Sequence, residues 1–186
     1  MSGRPAVFLD RDGVLNESFV GADGVPRPPA GLAEFTLVDG AAEACRSLGA
    51  LGFLRIVVTN QPDVARGTQR REVVEAIHQR LREGVHVDDI RVCYHDDDDL
   101  CECRKPKPGL LLSAAQDWGI DMAASFMIGD RWRDVEAGHQ AGCTTILIDT
   151  HESRELTIEP TVRVDSLSSA VNWIRDRVRH EAGVVR

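Results

Sequence analysis

Short, largely apolar runs recur along the chain at Ala6 to Leu9, Leu54 to Val58, Ile90 to Cys93, Ser125 to Ile128 and Thr144 to Ile148. Runs this short and rich in Val and Ile suit strands covered on both faces. Between them, apolar residues return every three to four positions, predicting helices at about Gly40 to Leu51, Gln69 to Arg82, Gly109 to Trp118 and Arg133 to Ala141. The alternation predicts an α/β fold with a doubly wound parallel sheet. Asp165 or Ser166 can cap a last amphipathic helix carrying Leu167, Val171, Trp173, Ile174 and Val178, expected to pack across the sheet. The Pro- and Gly-rich stretch Gly21 to Gly31 reads as a long loop after the first strand. Ligands of open α/β sheets bind outside the carboxyl ends of the strands, so the residues just after each strand carry the functional information.

Composition narrows the class. At 186 residues and 42% hydrophobic, the chain has the size of one globular domain and can bury a core without cross-links. A formal charge of -8 and no basic stripe argue against a nucleic-acid partner, while leaving room for a small anion where positive groups gather in one pocket. No segment is long and apolar enough to span a bilayer, and Met1 to Pro5 runs straight into a strand. The expectation is a cytoplasmic protein with no membrane partner and, with no oligomer signal in the sequence, a monomer.

The first strand ends Leu9-Asp10-Arg11-Asp12-Gly13, and alternate residues of an extended segment share a side, which brings two carboxylates together. Asp-x-Asp-Gly also occurs in solvated turns. The second strand ends Thr59-Asn60-Gln61, a hydroxyl and two amides able to hold anionic oxygens, although Thr59 could equally be a capping residue. Before the fourth helix stands Gly129-Asp130-Arg131-Trp132-Arg133-Asp134, where capping alone could explain Asp130. Independent capping does not readily account for all three together.

In combination with Arg104-Lys105-Pro106, these motifs resemble the haloacid-dehalogenase (HAD) superfamily of phosphatases, in order, from about Ala6 to Asp149. The resemblance implies a Rossmann-like sheet forming a single domain over residues 1–186, without a separate cap; the Asp10-to-Thr59 and Thr59-to-Lys105 intervals leave no space for a full one. It further implies that Asp10 is the nucleophile, that Asp12 donates and later accepts the proton, and that Thr59 and Lys105 hold the phosphoryl oxygens. Mg²⁺ would be held by Asp10, the main-chain carbonyl of Asp12, and Asp130, with Asp134 orienting neighbours. Lys105 is preferred over Lys107 because it stands between Arg104 and Pro106, as in the family motif.

Three of the five cysteines crowd into Cys93-Tyr94-His95-Asp96-Asp97-Asp98-Asp99-Leu100-Cys101-Glu102-Cys103. Cys93, His95, Cys101 and Cys103 offer a full tetrahedral set for Zn²⁺ with no open position, hence a structural site; the alternative is a reduced cluster without metal. Cys45 and Cys143 read as plain buried thiols. The four aspartates suggest a solvated loop tip pointing away from a site that must hold phosphate. A zinc loop resembles two HAD groups, the heptose 1,7-bisphosphate 7-phosphatases and the histidinol-phosphate phosphatases. Ala65-Arg66-Gly67, Cys103-Arg104-Lys105-Pro106-Lys107-Pro108-Gly109 and Ile120-Asp121-Met122-Ala123-Ala124-Ser125 favour the former; Tyr94, Asp96 and Pro62-Asp63 depart from its usual pattern. The implied substrate is a sugar phosphate, with Asn60, Arg104 and Arg131 as further contacts; Arg131 could instead be a surface residue paired with the aspartate-rich loop.

Overall fold

In a computed structural model, residues 3–20, 26–149 and 158–184 are described. The elements run β1 (Ala6–Leu9), β2 (Phe19–Val20), β3 (Pro26–Arg27), α1 (Ala41–Ala50), β4 (Leu54–Asn60), α2 (Arg71–Gly84), β5 (Asp89–Cys93), a 3-10 turn (Asp97–Asp99), α3 (Gly109–Trp118), β6 (Phe126–Gly129), α4 (Trp132–Ala141), β7 (Thr144–Ile148), β8 (Val162–Val164) and α5 (Leu167–Val184). Six strands form one sheet in the order β5-β4-β1-β6-β7-β8, every neighbouring pair parallel. From β1 the chain winds outward to β4 and β5, then returns to β6 and winds the other way, so the topological switch lies between β1 and β6.

The period of two sorts the strand residues into two cores. Val7, Leu9, Val57, Ile128 and Ile146 pack with Ala44, Cys45 and Leu48 of α1 and Val171 and Ile174 of α5 on one face. Ala6, Phe8, Ile56, Val58 and Met127 pack with Leu110, Leu111 and Ala114 of α3 and Ala137 of α4 on the other. All four residues of β1 are therefore buried, as expected of a central parallel strand. Cys45 is buried in the first core, whereas Cys143 is only partly covered.

β4 runs two residues past its expected end because Thr59 and Asn60 stay paired with Val92 and Cys93. β6 begins one residue late: the Ser125 hydroxyl donates to the Asp121 carbonyl at 2.5 Å and accepts from Ala6 N–H at 3.0 Å, so Ser125 closes the turn rather than starting the strand. Ser166 is the residue that caps α5, its hydroxyl accepting from Ser169 N–H at 3.2 Å. The loop expected from Gly21 to Gly31 instead carries an antiparallel ribbon, with Phe19 opposite Arg27; residues 21–25 of that span lie outside the described residues. Among the described residues, no helix is long and apolar enough to cross a membrane.

Candidate active site

The carboxyl ends of β1, β4 and β6, with the segment before α3, deliver their polar residues to one cavity of about 270 Å³. Its lining includes Asp10, Asp12, Thr59, Asn60, Lys105 and Asp134 below, and Arg27, Arg66, Arg104, Arg131 and Arg133 around the mouth. Lys105, 2% exposed, is the hub of the floor. Its Nζ lies 2.9 Å from Asp10 Oδ1 and donates to Asp134 Oδ1 at 2.6 Å and the Val58 carbonyl at 2.8 Å. Lys107 instead reaches Glu102 at 2.7 Å on the surface.

Asp10, Asp130 and Asp134 form a buried triad with one carboxylate oxygen from each within 4.8 Å of the others. Burial, reinforced by the neighbouring negative charges, pushes the Asp130 carboxyl up to about 8. Asp10 is pushed up to about 6, again chiefly by burial, with Lys105 opposing the rise. Burial works against the Lys105 charge, but Asp10 and Asp134 outweigh it and raise its pKa. Fully ionised, as a bound cation would make them, three carboxylates against one ammonium leave two negative charges, matching a divalent cation. Asp134 is already committed, its second oxygen accepting from Arg131 N–H at 3.1 Å, whereas Asp130 Oδ1 is buried and has no hydrogen-bond partner. The donor set of Asp10 and Asp130 thus suits a hard cation with oxygen ligands. Gly13 makes this approach possible: at φ +85° it tolerates the turn, and a Cβ there would lie 2.3 Å from Asp130 Oδ2.

Asp12 is held differently. Its oxygens accept from Arg11 Nε at 3.2 Å and Nη2 at 3.0 and 2.9 Å, from Asn16 Nδ2 at 3.0 Å and from Gln61 Nε2 at 2.8 Å. Burial would raise its pKa, but the Arg11 charge and these hydrogen bonds prevail and hold the carboxyl below the ordinary range. Gln61 also donates to Thr59 Oγ1 at 2.9 Å, leaving that hydroxyl's own hydrogen available to an anion. Asn60 grips the main chain of Lys105 at two points, donating to its carbonyl at 2.9 Å and accepting from its N–H at 3.1 Å. It therefore lines the pocket with its amide already engaged.

The aspartate run corrects one expectation. Asp96 and Asp97 do not point away from the pocket; they turn back onto arginines of its mouth. Asp96 accepts from Arg66 at 2.5 and 2.8 Å, and Asp97 accepts from Arg104 Nε at 2.8 Å and Nη2 at 3.2 Å. Arg133 Nη2 stands 3.9 Å from the same Asp97 carboxylate. The aspartates reach the mouth because several guanidiniums offset the charge they bring, a partnership invisible in a local charge run. Arg104 and Arg66 pair with this loop, while Arg131 Nε lies 4.0 Å from Asp130.

Cys93, His95, Cys101 and Cys103 converge beside this mouth. Their sulfurs are 3.3 to 3.7 Å apart and His95 Nδ1 lies 3.2 Å from Cys103 and 3.6 Å from Cys93. Tetrahedral zinc bond lengths place such ligand atoms roughly 3.5–3.8 Å apart, so the donor set and spacing fit. Cys93 ends β5, and its carbonyl accepts from Gln61 N–H at 2.7 Å, tying the cluster to the floor of the pocket.

Sequence reasoning passed over Arg11, Asn16 and His78, and the mouth residues Arg27 and Arg133; Gln61 it offered as an amide for anionic oxygens, whereas that amide turns onto Asp12 and Thr59, and Arg66 it quoted only for the family resemblance. For His78 a signal existed, since it shares the buried face of α2 with Val74, Ile77 and Leu81.

A family model described as HAD-hydrolase-like matches residues 102–170. The chain is similar to the D-glycero-β-D-manno-heptose-1,7-bisphosphate 7-phosphatase of Yersinia pestis, 38% identical over 159 residues that cover 78% of this chain and 81% of that one. To the enzyme of the same name from Vibrio cholerae it is 38% identical over 188 residues, covering 92% and 96%. The crystal structure of a D,D-heptose 1,7-bisphosphate phosphatase from B. bronchiseptica, complexed with magnesium and phosphate, superposes with a TM-score of 0.79 at 30% identity, covering 93% of this chain and 99% of the other.

Proposed function

Since the chain belongs to the heptose-1,7-bisphosphate 7-phosphatase family of HAD-like hydrolases and is a phosphoric monoester hydrolase, we propose that it removes the 7-phosphate of D-glycero-D-manno-heptose 1,7-bisphosphate through an aspartyl-phosphate on Asp10. The observation that carries this reading is the pairing of a buried Asp10–Lys105 floor with a mouth bearing five arginines, which suits a ligand with one phosphate to lose and another to hold.

An Asp10 carboxylate oxygen attacks phosphorus, and the bond from phosphorus to the C7 oxygen breaks with its electron pair going to that oxygen. With the negative charge of the phosphate bound beside it opposing Arg11, Asp12 takes up a proton from solvent and passes it to the leaving oxygen, making the leaving group an alcohol. Water then attacks the phosphoryl group and gives its proton to Asp12, releasing phosphate and restoring Asp10. Lys105 and the Thr59 hydroxyl neutralise and orient the non-bridging oxygens, work done by position and charge rather than bond formation. Asp10, Asp130 and the Asp12 carbonyl would hold Mg²⁺, which when bound supplies the positive charge that lets an anion attack an anion. Zn²⁺ at Cys93, His95, Cys101 and Cys103 would be structural, fixing the polar loop that leads into Arg104 and Lys105. Second-phosphate contacts fall to Arg104 and Arg131, with Asn60 setting the place of Lys105.

The test is phosphate release, with Mg²⁺, from each anomer of the heptose bisphosphate and from histidinol phosphate, using Asp10→Asn as the blank. Preferential turnover of a heptose anomer supports the reading. Turnover of histidinol phosphate alone would keep the mechanism and reject the substrate, and a wild type indistinguishable from the blank on all three would leave a sugar-phosphate-binding module.

A further inference from the structure

Arg11 lies between the two reacting aspartates and is completely buried, with a relative exposure of 0%. A guanidinium in such a place needs all its donors answered. Nε and Nη2 are answered by Asp12, and one of the two Nη1 hydrogens by His78 Nε2 at 2.9 Å. His78 comes from α2, 67 positions along the chain, and is itself 1% exposed. Burial first, and the Arg11 charge second, push its pKa down to about 4, so the ring is neutral near pH 7. An Arg can only donate, so Nε2 is the accepting nitrogen and Nδ1 carries the hydrogen, facing Glu75 Oε2 across 3.7 Å.

We propose that His78 is a positioning residue for the proton donor: by accepting from Arg11 Nη1 it fixes the guanidinium plane, and that plane fixes the carboxylate of Asp12. The inference rests on the acid role given to Asp12 above and deepens it. Two oxygens of Asp12 are located by donors from Arg11, Asn16 and Gln61, but only Arg11 contacts both oxygens. Arg11 in turn has no side-chain anchor other than Asp12 and His78 among the described hydrogen bonds. Remove the imidazole and Nη1 loses the acceptor described for it, and the guanidinium gains freedom to turn about its contact with Asp12. The proton would then be offered to the wrong place, while Asp10, Lys105 and Thr59, which His78 does not touch, keep their geometry.

Leaving-group chemistry separates this from a general loss of structure. A sugar alkoxide must be protonated as it departs, whereas p-nitrophenolate leaves without much help, and kcat/KM reports only the steps through aspartyl-phosphate formation. His78→Met fills the space without a comparable acceptor, and His78→Gln supplies an amide oxygen. The expected result is a fall in kcat/KM of about 10- to 100-fold on heptose bisphosphate for His78→Met, a part of the roughly 10²- to 10⁴-fold that a general acid supplies, against less than about 3-fold on p-nitrophenyl phosphate. His78→Gln should recover most of the loss, and Asp12→Asn should show the same selectivity in larger form. If His78→Met does not fold, His78→Asn, whose shorter amide falls short of Arg11, takes its place and must show the selective loss. Equal losses on both substrates, or none on the sugar phosphate, would overturn the role of His78. A wild type inactive towards heptose bisphosphate but active on the aryl ester would instead reject the substrate assignment, with the His78 variants then compared on whichever alkyl phosphate is turned over.

Discussion

Replacing Asp130 by Asn should make the metal-free protein more stable while abolishing its response to Mg²⁺. Asp130 is 5% exposed, carries an oxygen without a partner, and faces Asp10 and Asp134 across the floor of the pocket. Its carboxyl is pushed from 3.8 up to about 8 by burial and those two charges. At about 1.4 kcal/mol per unit, holding it ionised in the folded chain costs at most about 6 kcal/mol. Relaxation of a coupled buried site reduces that to roughly 2–4 kcal/mol. The sign follows from proton counting: between pH 4 and 8 the folded state binds more protons at this carboxyl than the unfolded state, so its contribution to stability falls as pH rises. The cost is nearly absent below the unfolded value, grows through the neutral range and levels off above about 8. Asn keeps the volume and removes the charge, so in EDTA the variant should gain on wild type from pH 5 to pH 8.5, reaching a melting temperature roughly 4–16 °C higher at 2–4 °C per kcal/mol. Saturating Mg²⁺ should raise the wild type and close the gap, leaving the variant nearly unmoved. Urea and thermal unfolding at three pH values, with EDTA or Mg²⁺, measure this. A gap that does not change with pH, or an equal Mg²⁺ increment in both proteins, would refute the electrostatic reasoning.

Gly13→Ala, whose Cβ would sit 2.3 Å from Asp130 Oδ2 at a φ of +85°, should lower stability by about 1–3 kcal/mol and cut kcat more than 100-fold, read by urea unfolding and phosphate release. Metal analysis should find one zinc per chain, and Cys103→Ser should lose it together with most of kcat, because the loop that positions Arg104 and Lys105 loses its anchor. Asp97→Asn takes one negative charge from among Arg66, Arg104 and Arg133, so KM for a bisphosphate should fall about 3- to 10-fold at low ionic strength, with the advantage shrinking at 0.5 M salt. An unchanged KM, or one unaffected by salt, would mean that Asp97 shapes the arginines rather than competes for them.

Where local pattern alone decides an element, sequence and structure agree closely. β1, β7 and α3 begin and end where periodicity placed them; α3 is bounded by Pro108 and by Gly119, which turns left-handed at φ 62°. α2 begins two residues later than its pattern, at Arg71, since Arg70 is still extended at φ -88° and ψ 138°. β8 escaped notice because Val162-Arg163-Val164 is too short to establish a period, and its strand identity comes from pairing with Ile146 to Ile148. The β2–β3 ribbon, two residues to a strand, is likewise defined by its partner rather than by its own sequence.

The site divides along the same line. Asp10, Asp12, Thr59 and Asp130 could be grouped from the sequence because a parallel sheet puts the ends of its central strands in one place, whereas Lys105, in the segment before α3, was singled out by the family motif alone. Arg11 was not, because a charged residue between two acids looks like a solvated turn until His78 arrives from a helix that packs beside it. Asp97 misled for the complementary reason: its neighbours in sequence are aspartates, but its neighbours in space are Arg66, Arg104 and Arg133. A motif records which residues must do chemistry, whereas the charges that tune them are chosen from wherever the fold brings the chain. Substitutions at His78 and Asp97 are therefore where this chain's acid strength and phosphate grip can vary without disturbing a single motif residue, and the leaving-group ratio and the salt dependence of KM are the two quantities in which such variation would appear.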